Sequence, residues 1–300
     1  MISRAKINTA LRRARPLVTI ASLIYVGFVA YRNFSALGQL EIPGDALQVT
    51  LGLAAIYGLA MLLQAEIWHR LVGLTGPEVP SRVLTWPAHT DTQLAKYLPG
   101  NVFHIVTRHL RLQQGGWTHG MLFRAFVIET ALLITGALLI TVLALSAFGV
   151  GQGTKLATLW NSNGEVIQFA VAMLAIGVVV CGSQIIGKTS RTALPTLMLS
   201  LTLSVLFFAI LGTAFYLIAT SLVADANAAL IGIATIAWIA GFITPGAPGG
   251  LGPREAVLVL LAAPSMGEPA ALIAVALYRC LTLLGDVACF ALGRVIFRRT

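Results

Sequence analysis

Of 300 residues, 57% are hydrophobic and only 10% charged, where a soluble domain carries about 25% charge. With a mean hydropathy of +0.87, the chain cannot cover its own surface in water, which excludes a self-contained soluble enzyme. The net charge of +9 fits the cytoplasmic bias of basic residues in membrane proteins and gives no reason to invoke nucleic acid.

The basic N-terminal tail (Arg4, Lys6, Arg12, Arg13, Arg15) leads into an apolar stretch at 16–31, read as a retained first span and not a cleaved leader. After the mixed charges Arg32, Glu41 and Asp45 comes a second span at 46–65. A base-rich stretch follows, with Arg70, Arg82, Lys96, Arg108, Arg111 and Arg124. Within it, 81–116 is moderately apolar and broken at Pro99, Gly100 and Asn101. A third span at 121–148 leads to a polar loop at 149–165, then a fourth span at 166–186, Lys188 and Arg191, and a fifth span at 194–223. Asp225 precedes a second broken region, 226–263, interrupted between Pro245 and Pro253. Glu268 opens the last span, which ends near Arg294, Arg298 and Arg299.

Stretches of about 20 apolar residues are helical spans; barrel strands are shorter and alternate. Base-rich and base-poor loops alternate, which puts both termini in the cytoplasm of a cell inner membrane. Each broken region begins and ends on one predicted side, and its proline and glycine cannot continue a helix. The expected fold is therefore an all-α integral membrane protein, a single domain over 1–300. It has about six full transmembrane helices and two opposed re-entrant hairpins near 81–116 and 226–263. Halves 1–150 and 151–300 read as an inverted repeat, a pattern that marks transporter sites. Trp86 and Trp117 are expected as interfacial anchors, and Cys181, Cys280 and Cys289 as small buried hydrophobes.

An ionisable side chain at a helix centre costs about 2.5–3.5 kcal/mol on insertion scales, so such residues are paired, hydrated or used. Arg254 and Glu255 follow the Gly/Pro run, where a new helix begins. Arg279 and Asp286 lie two turns apart on one face, and Glu129 lies about a turn past Arg124. In a functional reading, Arg108, Arg254 and Arg279 hold an anion, and Glu129, Glu255 and Asp286 neutralise them in its absence. The guanidinium fork matches a phosphate, the helix starting near Pro253 offers free N–H groups, and Gly249, Gly250 and Gly252 let a headgroup approach the backbone. A set of structural ion pairs fits the charge pattern equally well.

The stretch from Lys96 to His104 admits the same two readings. In one, Lys96 snorkels and Tyr97 marks the interface. In the other, Asn101 and His104 face a cavity from the hairpin tip. Five histidines lie from His69 to His119, but His104 and His109 are five apart and there is no HExxH, so neither metal nor cofactor is expected. Without a P-loop, a GxSxG or a recognisable nucleophile–base pair, neither an ATP-driven pump nor an enzyme is expected.

The run KYLPGNVFH (96–104), then Arg108 and Glu129, then PGGLGPRE (248–255) and Arg279, resembles the transmembrane region of the lysylphosphatidylglycerol synthase family, a region that also occurs as a stand-alone flippase-like protein. The likeness covers nearly the whole chain. It departs at Pro253, where a small aliphatic residue is expected before Arg-Glu. The resemblance implies translocation of a lipid between leaflets, the cargo being an aminoacyl-phospholipid, a polyprenyl-linked sugar or a hopanoid-type lipid. Because the chain ends just after its last span, the aminoacyl-transferring activity of the full-length synthases is not expected. The rival expectation is an accessory membrane protein that docks a glycosyltransferase or other lipid-modifying enzyme. Small residues such as Gly136, Ala137, Gly212 and Ala214 permit close helix packing but leave the oligomeric state open.

Overall fold

The computed structural model describes residues 42–98, 103–113, 115–149, 155–186, 190–244 and 247–297, and every described element is helical. In chain order they are α1 (Gly44–Thr75), α2 (Arg82–Thr90), a 3-10 turn (Gln93–Tyr97), α3 (Phe103–Gln113), α4 (His119–Phe148), α5 (Lys155–Ile186), α6 (Ser190–Thr220), α7 (Leu230–Ile243), a second 3-10 turn (Pro248–Gly250), α8 (Pro253–Met266) and α9 (Glu268–Phe297). Among the described residues, five helices are long and apolar enough to cross a membrane: α1, α4, α5, α6 and α9. The chain is a multi-pass helical membrane protein. The expected span at 16–31 and the candidate residue Asn101 lie outside the described residues.

Local signals set the helix ends. Pro43 precedes α1, and Asp45 stands in its first turn, where a negative charge suits the helix dipole. The Ser81 side chain accepts from Val83 N at 3.2 Å to cap α2, and Thr118 accepts from Met121 N to cap α4. Gly149 ends α4 at φ 68°, and Gly267 ends α8 at φ 82°.

The α5 helix corrects the expected loop at 149–165, since it starts at Lys155 and runs through Asn161, Ser162, Asn163 and Gly164. These residues cost a helix under about 1 kcal/mol each. Here Ser162 Oγ bonds back to Thr158 O at 2.9 Å and Asn163 Nδ2 to Leu159 O at 3.4 Å.

Four long helices form the centre: α1 packs on α9, α6 and α4, and α6 packs on α4 and α9. Their shared core holds Trp68, Phe207, Phe208, Phe215 and Tyr278, all essentially without exposure. Gly136 lies against Ser204, and Gly212 against the Ile231 carbonyl, so both serve packing within the chain. The α5 helix is peripheral, touching α4 and α6 and leaving Val166, Phe169 and Ile176 outward. Cys181 also faces outward, unlike the buried Cys280 and Cys289. Trp117, expected at the interface, is buried in the core.

The two broken regions insert among these helices. Their arms are 9, 11, 14 and 14 residues long. At about 1.5 Å per residue none reaches the roughly 30 Å of a hydrocarbon core. The α2 arm packs on α1 and α9 while α7 packs on α4 and α6, and the two 3-10 turns touch.

Candidate functional site

Where the two broken segments meet, a cavity offers about 120 Å³ to the centres of water molecules. Tyr57 and Met61 of α1, Glu129 and Leu133 of α4, Phe207 of α6, and Thr282 and Asp286 of α9 line it. All of these fall in the middle third of their helices, so the cavity sits about half-way along the bundle. Its lining mixes ionic side chains, Lys96, Arg108, Glu129, Arg254 and Asp286, with apolar ones, Phe126, Leu133, Trp238 and Phe242.

Arg108 on α3 makes a two-pronged pair with Glu129 on α4, at 3.0 and 2.5 Å. Its guanidinium carbon lies 3.6 Å from the Trp68 ring centroid, and Trp68 stacks in turn on His109. Arg108 Nη1 is 3.2 Å from His89 Nδ1. Because arginine only donates, Nδ1 accepts and the ring proton sits on Nε2, where the Gln93 amide accepts it with its oxygen turned toward the ring. Both charged groups are thus buried and paired with each other, as burial requires, though Arg108 Nε is buried without a partner.

Asp286, with no exposure, is held by residues far away in sequence. Lys96 Nζ donates at 2.8 Å, Tyr97 OH at 2.5 Å and Tyr57 OH at 3.5 Å. Asp286 therefore neutralises Lys96, not one of the arginines as the sequence suggested.

At the second broken segment, Gly249, Gly250 and Gly252 have φ of 58°, 74° and 92°, a region that penalises any side chain. This turn brings Gly250 against Gly241 and lets the Tyr97 ring lie on Gly249. Glu255 Oε2 accepts from Gly252 N at 2.6 Å, closing the start of α8, while Oε1 stands 3.5 Å from Arg279 Nη1. Arg279 Nη1 also donates to Gly249 O at 3.2 Å, but its Nε and Nη2 are buried without partners.

Arg254 differs from the other cations. It is 8% exposed, lies 4.8 Å from the Tyr278 ring centroid, and is paired with no carboxylate among the described residues. Its Nη2 is buried without a hydrogen-bond partner.

Of the residues chosen from sequence, Lys96, His104, Arg108, Glu129, Gly249, Gly250, Arg254 and Asp286 line the cavity. Arg279 stands behind Gly249, Glu255 supports Arg279, and Gly252 is exposed outside the lining. Arg124 is exposed and bonds its own helix at Gly120 O, not Glu129. Sequence reasoning missed Tyr57, Tyr278, His89 and Gln93. A tyrosine in an apolar span needs a partner for its hydroxyl, and His89 and Gln93 are spaced to meet on one helical face; those were the available signals. Among the described residues no group of three or more His, Cys, Asp or Glu is placed to hold a metal ion.

Comparison with protein-family models, curated proteins and solved structures finds no match.

Proposed function

We propose that this protein moves a lipid with a polar or phosphate-bearing headgroup between membrane leaflets, as the resemblance to the lysylphosphatidylglycerol synthase membrane region implies. The observation that carries the reading is the cavity half-way along the bundle, lined by both ionic and aromatic or aliphatic side chains. A headgroup held by the ionic side chains keeps its charges solvated by protein, while its chains remain with apolar surface or lipid.

In this reading the two broken segments are re-entrant hairpins entering from opposite faces of a cell inner membrane, with both termini cytoplasmic. Two features support inverted halves. The packing of α1, α2, α3 and α4 recurs in α6, α7, α8 and α9. For example, α1 on α4 answers α6 on α9, α2 on α9 answers α7 on α4, and α3 on α4 answers α8 on α9. Each half also pairs the second hairpin arm with the following long helix, with the signs exchanged: Arg108 with Glu129, and Glu255 with Arg279. Such halves supply two related packings, and a carrier needs two states that bind the headgroup from opposite faces.

The test is exchange of headgroup-labelled lipids between the leaflets of liposomes, comparing wild type with Arg254→Ala/Arg279→Ala, both first shown to be folded. Exchange should depend on the headgroup and vanish in the double variant. Unchanged exchange in a folded double variant counts against the reading.

A further inference from the structure

Among the described residues, the charges around the cavity do not balance: Lys96, Arg108 and Arg254 line it against Asp286 and Glu129. Just behind, Arg279 and Glu255 offset each other at 3.5 Å. Lys96 is matched by Asp286 and Arg108 by Glu129, so the surplus is one positive charge, located at Arg254. A guanidinium does not lose its proton to relieve burial. A buried charge without a counter-ion is costly, and here it faces a cavity.

Resting on the lipid-moving reading above, we infer that the cavity takes an amphiphile bearing a single phosphodiester monoanion, seated on Arg254. Three features set this class. Among the described residues, one negative charge completes the balance, whereas a second finds no unpaired cation in the lining and faces the carboxylates of Glu129 and Asp286. Arg254 Nη2, on the lining and buried without a partner, asks for an acceptor oxygen, and a phosphodiester offers two non-bridging oxygens of fork geometry plus its ester oxygens. Phe126, Leu133, Trp238 and Phe242 in the lining accept the start of a hydrocarbon chain. A diacyl glycerophospholipid with an uncharged headgroup and a polyprenyl monophosphosugar share this chemistry. Phosphatidate, polyprenyl diphosphates, zwitterionic phosphocholine lipids and uncharged lipids do not.

The experiment measures binding to the full chain in detergent, and leaflet exchange in liposomes. The probes are phosphatidylglycerol, a polyprenyl monophosphosugar, phosphatidate, a polyprenyl diphosphate, phosphatidylcholine and a long-chain fatty acid. One or both phosphodiester monoanions should bind at least about tenfold more tightly than the rest, the scale of one charge-assisted hydrogen bond. If only one of the two does so, the difference identifies the source. Arg254→Gln should erase the preference and, without lipid, melt at or above the wild-type temperature, because it removes an uncompensated buried charge. A merely structural Arg254 would instead lower the melting temperature and leave the preference intact. Equal or tighter binding of phosphatidate, the diphosphate or the fatty acid overturns the inference. Preference without exchange keeps the inference and rejects lipid movement; exchange without a charge preference does the reverse.

Discussion

Gly249 and Tyr97 meet where the two broken segments cross, and the contact has no room to spare. A Cβ on Gly249 would stand 2.6 Å from Tyr97 Cε1, and Tyr97 holds Asp286 through its hydroxyl. Gly252 also has a positive φ, 92°, but with ψ −71° against 24° at Gly249, and nothing lies within 4 Å of its added Cβ. Alanine at Gly249 carries the left-handed penalty of about 1–2 kcal/mol and displaces Tyr97, whereas alanine at Gly252 brings backbone strain alone. Gly249→Ala should therefore abolish leaflet exchange, while Gly252→Ala should lower the melting temperature and leave exchange near wild type. Equal losses in both would mean that the turn matters only as a turn. The proline–glycine run and the intramembrane charges were legible in the sequence because their types are costly in lipid. Their partners were not: Tyr57 and Lys96 reach Asp286 across 229 and 190 residues, and no local spacing encodes such a meeting.

At the scale of elements, the two broken segments are fastened differently. The first is bound to α9 by ions: Lys96 with Asp286 at 2.8 Å, and Asp91 with Arg294 at 3.3 Å, with Asp91 also held by Arg111 at 2.7 Å. The second is fastened to α4 by small residues, Gly232 against Thr141 and Ala144, with Thr141 and Thr235 hydroxyls 2.8 Å apart. Removing one member of a buried pair strands the other. Asp286→Asn should cost about 3 kcal/mol of unfolding free energy in detergent by leaving Lys96 without a counter-ion. Lys96→Met/Asp286→Asn should recover most of that loss, since the Asn oxygen still accepts from Tyr97. A double variant as unstable as the single one would show that the pair does not fasten the segment. The long helices could be located from apolar runs, but the start of α5 could not, because polar residues outside the lipid continue a helix without any apolar signal.

For the whole molecule, the central claim is that one cavity serves both faces of the membrane. On the proposed reading, the matching contacts of α1 to α4 and α6 to α9 belong to two halves whose roles would exchange as the broken segments shift. Thr130 lines the cavity and is half-buried, so it reports access without touching the ion pairs. Its test is Thr130→Cys in a chain whose Cys181, Cys280 and Cys289 are replaced by alanine. That variant is placed in liposomes of known orientation and exposed to a membrane-impermeant thiol reagent on one side at a time. The account predicts labelling from both sides, slowed on each by phosphatidylglycerol. Labelling from one side alone, whatever lipid is present, would contradict it and leave the cavity as a pocket that opens to a single face.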